Sequence, residues 1–492
     1  MKQIGIIGAG LGGLSASIRL ANRGFKVDLF ERNNNAGGKA SEINESGFRF
    51  DTGPSLLTMP FVIEQLFEEC GENIDDYLSF RKLDVICKYF YPDGVVINAY
   101  SDPKKFGNEI EKKTSDNAQS LNKYLSHCSK IYDLTADLFL FNSPTKLKTF
   151  LNARALKALV NLHKIDTLRS MHKANTTFFK DDKLVQLFDR YATYNGSDPY
   201  RAPATLNIIP HVEYTLGSFL PEGGIYSISK ALMKLAEEKG VNIYLNERVK
   251  NINIENDKAV GLSTDKITKS YDAIVSNVDV NTTYRNLLPN ISNSESLRNL
   301  KLEPSFSGLV FYWGMNKEFD ELETHNILFS SDYKKEFDDL FVNRRIPEDP
   351  TIYIYISAKQ NKNDAPAGKA NWFVMVNSPY IQGQSWDLEI NNTREKIINK
   401  INSHLKTDIT KNILFEKKLS PLDIESKTGS YLGSIYGISS NDKKATFLRQ
   451  TNKSRSIKNL YFCGGSVHPG GGIPLVILSG KIASELVAED LL

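Results

Sequence analysis

Cysteine is scarce in this chain: there are 4 in 492 residues, Cys70, Cys87, Cys128 and Cys463. None forms a CxxC pair, and no His/Cys cluster has zinc spacing. A disulfide scaffold and a structural zinc site are therefore not expected. Together with the absence of a signal-peptide pattern, this favours a reducing, cytoplasmic compartment. An excess of one charge is also lacking, since 61 Lys+Arg stand against 58 Asp+Glu, a net charge of +3. Nothing in that balance points to nucleic acid as a partner. The histidines, at 127, 163, 172, 211, 325, 404 and 468, show no metal spacing and no Ser/His/Asp or Cys/His arrangement. Hydrolytic and metal chemistry have no visible machinery.

Long hydrophobic runs are missing too. Residues 460–480 carry no charge apart from His468, but they contain six glycines and two prolines. Their apolar run 473–478 falls far short of the ~20 residues of a spanning helix. Residues 1–18 could be mistaken for a secretory segment, but glycines at 5, 8, 10, 12 and 13 argue against its helical centre. What remains is an ordinary globular composition, 41% hydrophobic and 24% charged. At roughly 150 residues per domain, the length suggests about three domain-equivalents.

The N-terminus is rich in pattern. Residues 4–7 read as a buried parallel strand. Gly8-Ala9-Gly10-Leu11-Gly12-Gly13 follows, then Leu14, Ile18 and Leu20 near helical spacing, then Gly24 as a stop. Residues 27–30 read as a second strand ending at Glu31. This is GxGxxG in its required setting. Gly8 permits the tight turn, Gly10 lets a pyrophosphate approach the backbone, and Gly13 lets helix and strand pack closely. The helix N-terminus offers N–H groups and positive dipole to phosphate. Glu31 is placed for ribose hydroxyls and would repel a 2′-phosphate, which disfavours NADP.

The fingerprint alone does not separate NAD from FAD. Two neighbouring pieces favour a longer dinucleotide: Gly37-Gly38-Lys39 soon after the acid, and the rigid turn Thr52-Gly53-Pro54-Ser55, which could lie against a flavin. The C-terminal region repeats the theme. A strand at 459–462 opens into Cys463-Gly464-Gly465-Ser466-Val467-His468-Pro469-Gly470-Gly471-Gly472-Ile473-Pro474, and a helical pattern follows. Such a loop brings N–H groups within reach of a flavin carbonyl or phosphate. One cofactor domain closed by both ends of the chain is the natural reading.

These segments resemble the FAD-dependent carotenoid desaturases, the bacterial phytoene desaturase group of the flavin amine oxidase superfamily. The matching residues are the GxGxxG, the acid, Gly37-Gly38-Lys39, Pro221-Glu222-Gly223-Gly224-Ile225, Arg248-Val249, Val275-Ser276-Asn277-Val278-Asp279, and residues 464–474 as GxxxHPGxGxP. The resemblance implies FAD held by Gly8, Gly10, Gly12, Gly13, Glu31, Arg32, Gly38, Lys39, Gly53, Pro54, Ser55, Leu56, Val249, Asn277, Gly464, Gly465, Gly472, Ile473 and Pro474. It implies a desaturase that introduces a C=C into a carotenoid by hydride transfer to flavin. Residues 53–60 and 189–197 look like the branch that acts at the 3,4 bond of 1-hydroxylated carotenoids of the gamma-carotene type. Arg190, Tyr191 and Asn195 are candidates to meet a substrate hydroxyl, and His468 for loop support or proton transfer. Phytoene desaturation, a redox-neutral cis-trans isomerase, an amine or porphyrinogen oxidase, and a non-enzymatic prenyl-lipid carrier stay open as alternatives.

The expected architecture is α/β. A Rossmann-like FAD-binding domain comes from residues 1–80, 220–300 and 455–492. A mixed-sheet and helical substrate domain comes from 80–220 and 300–455, with strands expected at 309–313, 351–356 and 372–376. Residues 146–173 hold seven basic residues and the single acid Asp166, with apolar residues at helical spacing. That reads as a basic amphipathic helix, suited to an anionic membrane surface or to a solvated cap. A bilayer-dwelling substrate would make the protein a cytoplasmic, peripheral membrane enzyme.

Overall fold

The computed structural model describes residues 1–143, 165–288, 294–442 and 449–492. Its first organising element is a five-stranded sheet in the order Leu460–Phe462, Ala273–Ser276, Gln3–Ile7, Lys26–Phe30, Asn242–Tyr244. All its pairings are parallel. Strands buried on both faces read as continuous apolar runs, and Ile4, Ile6, Val27, Leu29, Ile274 and Val275 are fully buried. The sheet draws strands from three distant stretches of chain. Its first strand lies centrally, flanked by Lys26–Phe30 and Ala273–Ser276. Reversal of strand order there opens a crevice beyond the strands' C-terminal ends, the usual ligand position in such sheets.

Two helices cover one face together. Leu11–Asn22 buries Leu11, Leu14, Ile18 and Leu20, and packs on the C-terminal helix Ile473–Leu491. Each such aliphatic side chain is worth about 1.5–3 kcal/mol on burial. Ser15 Oγ donates to the Ile477 carbonyl at 2.7 Å, tying first helix to last. An antiparallel three-stranded sheet, Asn251–Glu255, Lys258–Ser263 and Thr268–Ser270, links Asn242–Tyr244 to Ala273–Ser276.

The second organising element is a seven-stranded sheet. Its order is Ile413–Leu419, Ser307–Met315, Ala370–Ser378, Ile352–Tyr355, His325–Leu328, Val85–Phe90, Val96–Tyr100. It is mixed: His325–Leu328 pairs with Val85–Phe90 in parallel, and the other pairs are antiparallel. The expected strands at 309–313, 351–356 and 372–376 all lie in it. Among the described residues no helix is long and apolar enough to cross a membrane.

One expectation fails where it can be examined. Residues 146–164 of the basic segment lie outside the described residues. Residues 165–173 do not continue a single helix. Asp166 adopts a left-handed φ of 55°, Ser170 bridges to Pro203, and a new helix, Met171–Asn175, starts with Ser170 as its cap. Arg169 binds Asp166 through two nitrogens, at 2.9 and 2.6 Å, and that pairing stabilises the turn where helical periodicity alone predicted continuation.

Candidate active site

A single cavity of about 1,220 Å³ runs from the crevice of the parallel sheet onto the face of the mixed sheet. Ordinary small-molecule sites span about 300–1,000 Å³, so there is room here for more than one ligand. Of the residues the sequence nominated, Gly8, Gly10, Gly12, Glu31, Arg32, Gly38, Lys39, Gly53, Pro54, Ser55, Leu56, Val249, Asn277, Gly464, Gly465, Gly472, Ile473 and Pro474 line it. So do Arg190, Asn195 and His468. Gly13 and Tyr191 do not; they sit behind its wall.

Asn277 explains how the two glycine loops meet. It follows the strand Ala273–Ser276, and its Nδ2 donates to the Gly8 carbonyl at 3.2 Å. A methyl added at Gly10 would stand 2.8 Å from Asn277 Nδ2, and one at Gly12 or Gly464 would stand 2.7 Å from its Oδ1. One amide side chain thus fills the gap between the turn at 8–13 and the loop at 464–474. Gly8 makes the turn with φ +93°, a conformation that L side chains avoid. Gly37 N donates to the Ala9 carbonyl at 2.8 Å, so the second glycine pair joins the same wall.

Glu31 is buried and fixed from within. Its Oε2 accepts from Ala9 N at 2.8 Å and its Oε1 from Asn33 N at 2.9 Å. Arg32 presents a buried Nη2 without a hydrogen-bond partner, beside Glu31. Lys39 is half-buried, with Nζ donating to the Ile435 carbonyl at 2.8 Å; desolvation lowers its pKa to about 8, against the attraction of Asp279.

The turn at 52–56 separates this region from a chamber on the mixed sheet. Tyr312 Oη donates to the Thr52 carbonyl at 2.8 Å, and Ser55 Oγ meets Tyr353 Oη at 2.6 Å. Tyr353 Oη also lies 2.8 Å from His325 Nδ1. Burial, aided by the Arg190 charge, lowers the His325 pKa to about 3, so the ring is neutral at ordinary pH. Cys87 lines the chamber as a neutral thiol, pushed up to about 12 by burial.

The chamber wall includes a buried ion pair. Glu213 lies in the π-helical turn His211–Leu216, a local form common at functional sites. Arg190 Nη2 donates to Tyr89 Oη at 2.8 Å and faces Glu213 Oε1 at 3.4 Å. Tyr191 and Tyr194 each donate to a Glu213 carboxylate oxygen. The guanidinium also stacks over the Tyr191 ring at 4.4 Å. Of this group, Arg190, Tyr194 and Glu213 face the cavity.

His468 is placed as a brace. Its Nε2 meets the Asn142 carbonyl at 3.0 Å, and its own carbonyl accepts from Asn452 and Ser479. Burial lowers its pKa to about 4, so it carries no charge at neutral pH.

The family described as flavin containing amine oxidoreductase matches residues 11–488. The chain belongs to that family. Among curated relatives, it is 42% identical to the 1-hydroxycarotenoid 3,4-desaturase of Flavobacterium sp. (strain P99-3), covering 99% of each chain. It is 36% identical to the 4,4'-diaponeurosporene oxygenase of Staphylococcus haemolyticus, covering 99% of this chain and 97% of the other. A crystal structure of an oxidoreductase from Methanosarcina mazei superposes with a TM-score of 0.67 at 16% identity, covering 98% of this chain and 100% of that one. That likeness concerns the fold.

As a member of this family the chain is an FAD-dependent oxidoreductase, and its residues fit the cofactor. The glycine turns at 8–12 and 464–472 line the cavity, the buried carboxylate of Glu31 lines it beside them, and the buried Arg32 Nη2 has no partner among the described residues. Sequence reasoning missed Glu213, Tyr353, His325 and Arg449 as cavity residues. None belongs to a motif, and each acquires meaning only from partners far away in sequence.

Proposed function

We propose that the protein is an FAD-dependent desaturase acting at the 3,4 bond of a 1-hydroxylated carotenoid of the gamma-carotene type. The observation that carries this reading is the buried ion pair of Arg190 and Glu213, with Tyr194, on a cavity wall that also includes the apolar Val310, Ile327, Phe373 and Met375. A hydrocarbon end gains nothing from a buried ion pair, whereas a terminal hydroxyl can bond to Tyr194 or Glu213. Sites that hydrogen-bond a substrate hydroxyl discriminate strongly against analogues lacking it.

Removing a hydride from one carbon and a proton from its neighbour creates the double bond, and FAD, when bound, supplies the two-electron acceptor. The protein's task is alignment. The turn at 52–56 is pinned by Tyr312 and Tyr353, so the wall between cofactor region and chamber is rigid. The apolar faces exclude water. A cation beside a polyene acidifies the neighbouring C–H, so a weak acceptor suffices, in keeping with the neutral His325.

Product analysis in cells making defined carotenoids tests the reading. The expected product is the 1-hydroxylated substrate lighter by two hydrogens. Anaerobic mixing with that substrate should bleach the flavin. Conversion of phytoene alone would overturn the substrate assignment. A product carrying an added oxygen would favour the chemistry named for the staphylococcal relatives, and unchanged mass would indicate isomerisation.

A bilayer-borne substrate also supports peripheral attachment to the cytoplasmic membrane face. Passage through water would cost ~0.8 kcal/mol per CH₂. Phe139, Leu140 and Ile165 line one part of the cavity wall, and the nearby Leu168 is 81% exposed. The protein should float with anionic vesicles at low salt; failure to bind would remove this part of the proposal.

A further inference from the structure

Arg449 is a buried cation with unusual company. Its Nη1 donates to the carbonyls of Gly465, at 2.9 Å, and Tyr436, at 3.2 Å. Its Nη2 donates to the Ile438 carbonyl at 3.0 Å and reaches Asn195 Oδ1 at 3.5 Å. Lys39, on the opposite loop, likewise donates to a carbonyl, that of Ile435. Among the described residues neither forms an ion pair, and both line the cavity. The carboxylate whose charge both feel is Asp279, half-buried and occupied in capping Asn281 N at 2.9 Å. Two cations against one carboxylate leave an excess positive charge in a desolvated wall. Desolvation lowers Arg449 to about 10 and Lys39 to about 8. An uncompensated buried charge is costly, so the arrangement calls for an anionic partner.

The position of Arg449 narrows that partner. The helix N-terminus at 10–13 is already the pyrophosphate site by its geometry. Arg449 instead spans from the C-terminal loop to Asn195 in the chamber wall, on the side where cofactor and substrate must meet. We propose that Arg449, together with Lys39, stabilises the reduced, negatively charged form of the flavin ring and so raises its reduction potential. Hydride uptake adds one negative charge to a flavin ring, and fixed buried cations favour that charge without reorganisation.

The inference rests on the FAD assignment and not on the choice of carotenoid, so it is tested without substrate. The midpoint potential of the holoenzyme is measured by dye equilibration, and affinity for oxidised FAD by fluorescence titration. In Arg449→Met the ratio of reduced to oxidised affinity should fall by about tenfold or more, equivalent to ~30 mV for a two-electron couple. Affinity for oxidised FAD should change much less. Arg449→Lys should recover most of the loss. Asp279→Asn keeps an acceptor for the cap but removes the counter-charge, and should move the potential the opposite way. An unchanged potential in Arg449→Met would overturn the proposal. So would an equal loss of affinity for both redox forms, or a downward shift in Asp279→Asn. Should Arg449→Met not fold, Lys39→Met and Asp279→Asn carry the same pair of opposed signs, and failure of either sign overturns it.

Discussion

A Gly13→Ala variant should purify colourless, its FAD affinity reduced by about 100-fold or more, equivalent to ~2.7 kcal/mol of binding. The added methyl would stand 2.1 Å from the Gly8 carbonyl oxygen and 3.2 Å from Asn277 Cβ. The first contact is with backbone, so no flexible side chain can yield. Relief requires moving the helix Leu11–Asn22 away from the strand Gln3–Ile7, or opening the turn between them. Overpacking alone costs typically ~1–3 kcal/mol, and here the displaced atoms belong to the glycine turn proposed to receive the cofactor. Absorbance at 450 nm against 280 nm, with circular dichroism as a check on folding, reads the result. A yellow variant of normal affinity would mean that this close approach does not shape the phosphate turn.

Replacing Glu213 with glutamine should destabilise the protein by ~3–5 kcal/mol, the usual cost of breaking a buried ion pair from one side. Glu213 is 1% exposed at its side chain and Arg190 9%. The amide offers one acceptor oxygen where two tyrosines donate to two, and it turns an N–H₂ group toward donors. Denaturant unfolding of the holoenzyme measures the loss. The double change Arg190→Met with Glu213→Leu removes both charges and should regain part of the stability, because no charge is then left buried alone. It should not regain preference for a hydroxylated over a non-hydroxylated carotenoid in competition. Equal preference in the wild-type protein would detach this ion pair from substrate recognition.

How much of this was readable in advance depended on the range of the interactions. The strands expected at 4–7, 27–30 and 459–462 appear as Gln3–Ile7, Lys26–Phe30 and Leu460–Phe462, because a buried parallel strand announces itself in a few consecutive apolar residues. The glycine loops were legible because phosphate-binding turns demand local conformations that few residues tolerate. The mixed sheet was partly legible: its two long central strands are rich in aromatic and β-branched residues, while the edge strand Ile413–Leu419 is mostly exposed and gave no pattern. The Arg190–Glu213 pairing was not legible. Its partners lie 23 residues apart, and Glu213 enters the chamber through a π-turn that no propensity encodes. Arg449 was silent for the same reason, since its partners are backbone carbonyls that carry no residue identity. At 165–173 the basic segment departs from the expected helix because periodicity cannot see a salt-bridged turn at Asp166 and Arg169.

The cofactor sheet takes an edge strand, Leu460–Phe462, and a covering helix, Ile473–Leu491, from residues far downstream of its central strand Gln3–Ile7. Domains tend to fold as they emerge from the ribosome, at ~5–20 residues per second. Here the mixed sheet, whose latest strand ends at Leu419, can assemble while the dinucleotide cradle still lacks one wall. Closure of the cradle therefore waits for residues 460–491, which are translated after every strand of the mixed sheet.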